Sequence, residues 1–248
     1  MAKVVLVHGA FNELWGPNEL KSRWLPALRD GLWHHGAAIT DDEVAVCFYG
    51  DLFRRDPSAQ DAEAFAASRA GVAEMLAHLA EGPGMEALSQ AASEAAFDRT
   101  VDMVTTMTTV PDLREQIGRR LDAVITDETR VVVGHSLGSV IAYMALRRNP
   151  GWDVDTLVTL GSPLGQKMLQ GQLDPPLDGT NGWPGSVRRW VNVAAVGDRA
   201  AAIHQLAPIY DQRIEDLQVD NGHRFHDPEP YLNASVTGAA VAAAIART

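Results

Sequence analysis

Apolar runs of strand length recur at residues 4–7, 44–49, 131–133, 156–160, 190–196 and 214–219. Most are nearly continuous in Val, Leu and Ala rather than alternating, the pattern of strands covered on both faces. Residues 139–148 read as a helix that follows the Val131-Val132-Val133 run and ends at Asn149-Pro150-Gly151. Short strands alternating with helices predict right-handed crossovers and an α/β fold, with a mostly parallel sheet and helices on both faces.

The alternation fails between Gly50 and Thr129, where no strand pattern occurs. Residues 62–80 and 85–97 are alanine-rich and helical in spacing, broken at Gly82-Pro83-Gly84. Pro111 is placed to open a further helix with Leu113, Ile117, Leu121 and Val124 on one face, the ordinary crossover back to the sheet. The segment from about 55 to 110 is then a helical insertion in a single domain spanning residues 1–248. Two readings of it stand side by side: an excursion packed on the sheet edge, or a cap over the site in which Met103 and Met107 line an apolar pocket. A second irregular stretch, 162–186, contains Asp174-Pro175-Pro176 and Asn181-Gly182-Trp183-Pro184-Gly185 and predicts a long surface loop.

Charge and composition narrow the function classes. The net charge of −11 opposes binding to nucleic acid, which needs a basic face, and to anionic membrane surfaces. No apolar stretch approaches the ~20 residues of a membrane span, so no integral membrane segment is expected. The lone cysteine, Cys47, sits in an apolar run and reads as a buried strand residue. One thiol cannot form an internal disulfide, and no signal-peptide pattern precedes the first strand, so a cytoplasmic location is expected.

The chemistry concentrates at Gly134-His135-Ser136-Leu137-Gly138, a G-x-S-x-G pattern between a strand and a helix. In that context a sharp turn holds the serine in strained backbone geometry, and glycines flank it because side chains there would meet neighbouring backbone. The turn lifts the Ser136 hydroxyl clear of the sheet as a nucleophile. Acyl transfer also needs donors for the charge that develops on the carbonyl oxygen. Val7-His8-Gly9-Ala10 forms a second glycine-bearing turn at a strand's C-terminal end, where ligands bind in open α/β sheets. The backbone amides of Ala10 and Leu137 are the expected oxyanion hole, with Phe11 as the alternative to Ala10.

With Val5-Leu6-Val7-His8-Gly9 and Thr159-Leu160-Gly161-Ser162-Pro163-Leu164, the Ser136 turn resembles the α/β-hydrolase superfamily, particularly its lipase- and esterase-like members. The resemblance spans most of the chain outside the insertion and implies the α/β-hydrolase fold and the chain order Ser, acid, His. Asp198, in Gly197-Asp198-Arg199 after the 190–196 run, matches the acid's address; Asp211 and Asp220 are less well placed. Asp153 and Asp155 precede their strand, at the other end of the sheet. The base follows the last strand. His226, just before the acidic, proline-bearing helix start Asp227-Pro228-Glu229-Pro230, matches its address, with His223 the second candidate.

The resemblance thus implies a serine hydrolase that cleaves a carboxylic ester or related acyl bond through Ser136, Asp198 and His226, with no cofactor and a small-molecule acyl substrate as partner. A peptidase or amidase and a thioesterase use the same triad, and a non-catalytic small-molecule receptor is the remote alternative. The spacing of His223 and His226 suggests a metal site only weakly, since no further ligand cluster accompanies it. His34, His35, His78, His135 and His204 read as packing or surface residues. Trp15 and Trp183 read as packing residues in loops that flank the mouth of the site, with lining of an acyl pocket as the alternative.

Overall fold

A computed structural model describes residues 1–10, 12, 14–54, 70, 112–171, 173, 176–177 and 182–247. The expected insertion, including His78, Met103 and Met107, lies outside the described residues apart from Ala70, as does Phe11. The described strands are β1 (Val4–Val7), β2 (Val44–Cys47), β3 (Val131–His135), β4 (Thr156–Leu160), β5 (Arg189–Ala195) and β6 (Glu215–Val219). They form one open six-stranded sheet in the order β2-β1-β3-β4-β5-β6. Every neighbouring pair is parallel, so the architecture is of the α/β class. The described helices are α1 (Pro17–Trp33), α2 (Leu113–Asp122), α3 (Leu137–Arg148), α4 (Lys167–Gln170), α5 (Pro228–Asn233) and α6 (Ser235–Ile245). None of the described helices is long and apolar enough to cross a membrane.

The near-continuous apolar strands follow from burial on both faces. Val5, Val7, Val132 and Leu157 join one core with Leu113, Ile117 and Leu121 of α2 and the apolar residues of α3. Val4, Leu6, Val131, Val133 and Val158 join the other, with Leu20, Trp24 and Leu28 of α1, Tyr231 and Leu232 of α5, and Ala240 and Val241 of α6. Each fully buried aliphatic or aromatic side chain contributes roughly 1.5–3 kcal/mol, so both helical layers are held by the sheet they cover. The edge strand β6 is half exposed, as its residues Glu215-Asp216-Leu217-Gln218-Val219 require.

Several expected boundaries move. The helix after the Ser136 turn begins at Leu137 rather than Ser139, because the turn itself delivers the chain into helical geometry. Strand β2 ends at Cys47, β5 ends at Ala195 with Val196 exposed, and Ile214 precedes β6 as a core residue. The described part of 162–186 is less of a surface loop than its composition suggests. It carries a 3-10 turn, Pro163–Gly165, and helix α4, and it is pinned inward. Tyr143 of α3 donates to the Gly182 carbonyl and Tyr210 donates to that of Leu164, each at 2.8 Å. Trp183 is buried against Trp190 with the Arg213 guanidinium over its ring, the packing role expected of it rather than a pocket-lining one. Trp15 packs beside the α1 core beneath the Arg23 guanidinium.

The strand order reverses direction across β1: the chain goes to β2 on one side and returns to β3 on the other. The crevice between the C-terminal ends of β1 and β3 is therefore a topological switch point. The turns at Gly9 and Ser136 meet there.

Candidate active site

Ser136 has φ 52° and ψ −127°, a conformation that a non-glycine residue adopts only when its surroundings enforce it. Three glycines make that possible. A Cβ at Gly134 would lie 2.5 Å from Ser139 Cα, and one at Gly138 would strike the carbonyl oxygens of Val7 and His8. A Cβ at Gly9 would lie 2.7 Å from Ser136 Cβ. The Ser136 amide donates to the Leu160 carbonyl at 2.9 Å, and the Ser139 hydroxyl lies 2.5 Å from the Ser136 carbonyl oxygen. The backbone of Ser136 is thus held from both sides while its side chain faces the crevice.

Of the two histidines left open by the sequence, His226 reaches Ser136. Its Nε2 lies 3.0 Å from Ser136 Oγ and its Nδ1 lies 2.9 Å from Asp198 Oδ2. His223 is exposed in the 3-10 turn Gly222–Arg224. Asp227 occupies the N-cap position of α5 with its carboxylate paired to Arg224, so His226 sits two residues before that helix, as the proline-bearing start anticipates. The other carboxylates are occupied elsewhere: Asp211 pairs with Arg213, and Asp220 accepts the Gly222 amide. Asp155 is buried near the start of β4, bound to Arg247 and Arg188, and Asp153 pairs with Arg130.

Asp198 is buried and fully solvated by protein donors. Its Oδ1 accepts the amides of Ala200 and Ala201 at 3.0 and 3.4 Å, and its Oδ2 accepts from both His226 and the Tyr231 hydroxyl. Burial pushes this carboxyl up, but hydrogen bonds from His226 and Tyr231, the His226 charge and the Ala201 amide outweigh it. The net effect holds Asp198 below the ordinary carboxylate value, so it is an ionised acceptor. His226 Nδ1 must then be the donor to it, which leaves Nε2 free to accept from Ser136 Oγ.

His135, adjacent to Ser136, is buried and lies with its ring centroid 4.9 Å from that of His226. Its Nε2 donates to the His226 carbonyl at 2.9 Å, since a carbonyl can only accept. Burial, then the neighbouring His226, pushes His135 down to about 3, so it is neutral at physiological pH. It packs, as expected, and also holds the main chain of His226. His8 has a matching role on the other side. The Tyr49 amide donates to His8 Nε2, so Nδ1 donates to the Gly9 carbonyl, and the Tyr49 hydroxyl donates to the His8 carbonyl.

Ala10 and Leu137 lie on the two abutting turns. Leu137 is the first residue of α3, so its amide has no acceptor within the helix. Asn12 Nδ2 donates to the carbonyls of both Gly9 and Ala10, at 3.1 and 2.9 Å, which fixes the second turn. Asn12, Tyr231 and Gly161 are the site residues that the motifs do not single out by role. Gly161 stands within the motif at residues 159–164, but only the fold reveals that its open face accommodates Asp198 and His226.

The chain matches no protein-family model, and no significant match was found among curated proteins or solved structures. The fold and the hydrogen-bonded side chains define an α/β protein with a serine, a histidine and an aspartate linked in series at the sheet's C-terminal edge.

Proposed function

We propose that this protein is a serine hydrolase of the α/β-hydrolase type, which cleaves a carboxylic ester or related acyl bond through an acyl-enzyme intermediate. The observation that carries this reading is the continuous chain Ser136 Oγ–His226–Asp198, with a strained serine at one end and a buried ionised carboxylate at the other.

The chemistry follows from the donor and acceptor roles. His226 Nε2 takes the Ser136 proton as Oγ attacks the carbonyl carbon, and the carbonyl π pair moves onto oxygen. The amides of Ala10 and Leu137 bind that oxyanion, assisted by the positive end of α3. Collapse of the intermediate expels the leaving group, which takes the proton from His226. Water then attacks the acyl carbon, His226 accepts its proton, and the second collapse returns it to Ser136 Oγ. Asp198 keeps the imidazole in the tautomer this sequence needs and stabilises its charged form.

A fluorophosphonate probe tests the reading directly. Ser136 is expected to carry the adduct, and Ser136→Ala to abolish it. His226→Ala should slow labelling by three or more orders of magnitude, roughly the loss seen when a triad base is removed, whereas His223→Ala should label at nearly the wild-type rate. An adduct on another serine would remove the basis for the assignment. Ser162 is the nearest rival in the motifs, but it is buried with its oxygen 2.7 Å from Ser139 Oγ. Rates on a panel of chromogenic esters, thioesters and anilides then assign the acyl class.

A further inference from the structure

We propose that Tyr231 is a positioning residue for Asp198, setting both the orientation of its carboxylate and the share of its charge that reaches His226; this rests on the acyl-transfer reading above. The phenol is completely buried. Its O–H donates to Asp198 Oδ2 at 2.6 Å, and its oxygen accepts the Ala195 amide at 2.7 Å. Ala195 is the last residue of β5, so one hydroxyl ties the acid to the strand that carries it.

The choice of oxygen matters. Oδ1 is held by two loop amides, whereas Oδ2 receives only side-chain donors, the phenol and the His226 imidazole. Removing the phenol leaves the catalytic imidazole alone on Oδ2. The carboxylate then keeps less rotational restraint on that side, and the charge formerly shared by two donors falls on one. Tyr231 therefore competes with His226 for the same oxygen while holding that oxygen in place.

Linkage along the chain makes this arrangement reproducible. His226 and Tyr231 lie on one short segment, the turn before α5 and α5 itself, so base and phenol arrive at Asp198 together. Burial, the Asp198 hydrogen bond and the Asp198 charge all raise the phenol above its ordinary value, which keeps it a protonated donor throughout the working range.

The test uses the intact protein and two readouts. The first is the saturation kinetics of fluorophosphonate inactivation for wild type, Tyr231→Phe and His226→Ala. The second is the far-downfield proton resonance of the His226–Asp198 hydrogen bond, recorded without any ligand. Tyr231→Phe should lower the maximal inactivation rate by about ten- to a hundredfold, the span of one hydrogen bond to a charged group, with the half-saturating probe concentration unchanged. Its Nδ1 proton should move further downfield, because Oδ2 has lost a competing donor. Tyr231→difluorotyrosine preserves the packing and both hydrogen bonds but strengthens the donor, so the resonance should move upfield. Wild-type inactivation by Tyr231→Phe together with an unmoved resonance would overturn the proposal. If that variant does not fold, an unmoved resonance in the difluorotyrosine protein overturns it instead. Wild-type inactivation by His226→Ala is a different result, and it would overturn the acyl-transfer reading itself.

Discussion

At Gly161 the chain leaves β4 with φ +54°, and a Cβ there would lie 2.8 Å from Asp198 Oδ2 and 3.2 Å from His226 Nδ1. Two penalties therefore meet at one position: a backbone conformation that L residues rarely adopt, and a methyl group in the space between acid and base. Gly161→Ala should fold yet label with fluorophosphonate at least about tenfold more slowly, because displacements near 1 Å in a reacting geometry cost rates of order a hundredfold. Unchanged labelling would show that the Asp198–His226 pair absorbs the methyl group without moving. The motif around Gly161 is visible in the sequence, but its role is not. Side chains that approach it come from residues 37, 65 and 70 positions downstream, and no local pattern reports them.

Helix α1 shows the same conflict between local and tertiary preference at the scale of elements. Gly31 lies within it, where alanine would ordinarily stabilise the helix by about 1 kcal/mol. In the fold, a Cβ at Gly31 would collide with the Leu232 carbonyl of α5, and one at Gly238 of α6 would collide with the Gly31 carbonyl. The three helices approach so closely only because these positions lack side chains. Gly31→Ala should therefore lower stability by about 1–3 kcal/mol, the usual cost of overpacking, measured as a shift of the urea midpoint with unchanged slope. It should also slow labelling of Ser136, since α5 carries Tyr231 and follows directly on His226. Stabilisation by the variant would mean that intrinsic helix propensity outweighs the contact.

For the whole molecule, two groups buried beside the site contribute to acid sensitivity. His135 is pushed down to about 3 in the fold from 6.5, so across that window the unfolded chain binds one more proton than the native one. Stability therefore falls as pH drops from 6.5 towards 3, with a slope of at most about 1.4 kcal/mol per pH unit for this one proton. Asp198 acts in the same direction at lower pH: it is held below 3.8, so its contribution is present above that value and is lost as pH falls through the native one. Thermal melts at successive pH values should show a shallower decline of Tm between 6.5 and 3 for His135→Gln, which retains a donor for the His226 carbonyl and cannot titrate. Parallel declines would show that His135 takes up its proton in the fold without penalty.

What the sequence determined by itself was whatever depends on neighbours along the chain. Apolar runs without alternation announce strands covered on both faces, and the glycines around Ser136 announce a turn that tolerates no side chains. The strand-then-turn pattern at Asp198 and the helix start after His226 belong to the same kind of local signal. The tertiary structure decided what depends on distance across the fold. It brought His226 rather than His223 to Ser136, because the 3-10 turn at Gly222–Arg224 leaves His223 in solvent and carries the next turn of chain back over β3 and β4. It placed Trp183 in the core and recruited Tyr231 to Asp198. A buried polar group must find a partner, but its sequence context does not say which one, since the partner is set by how helices and sheet pack together.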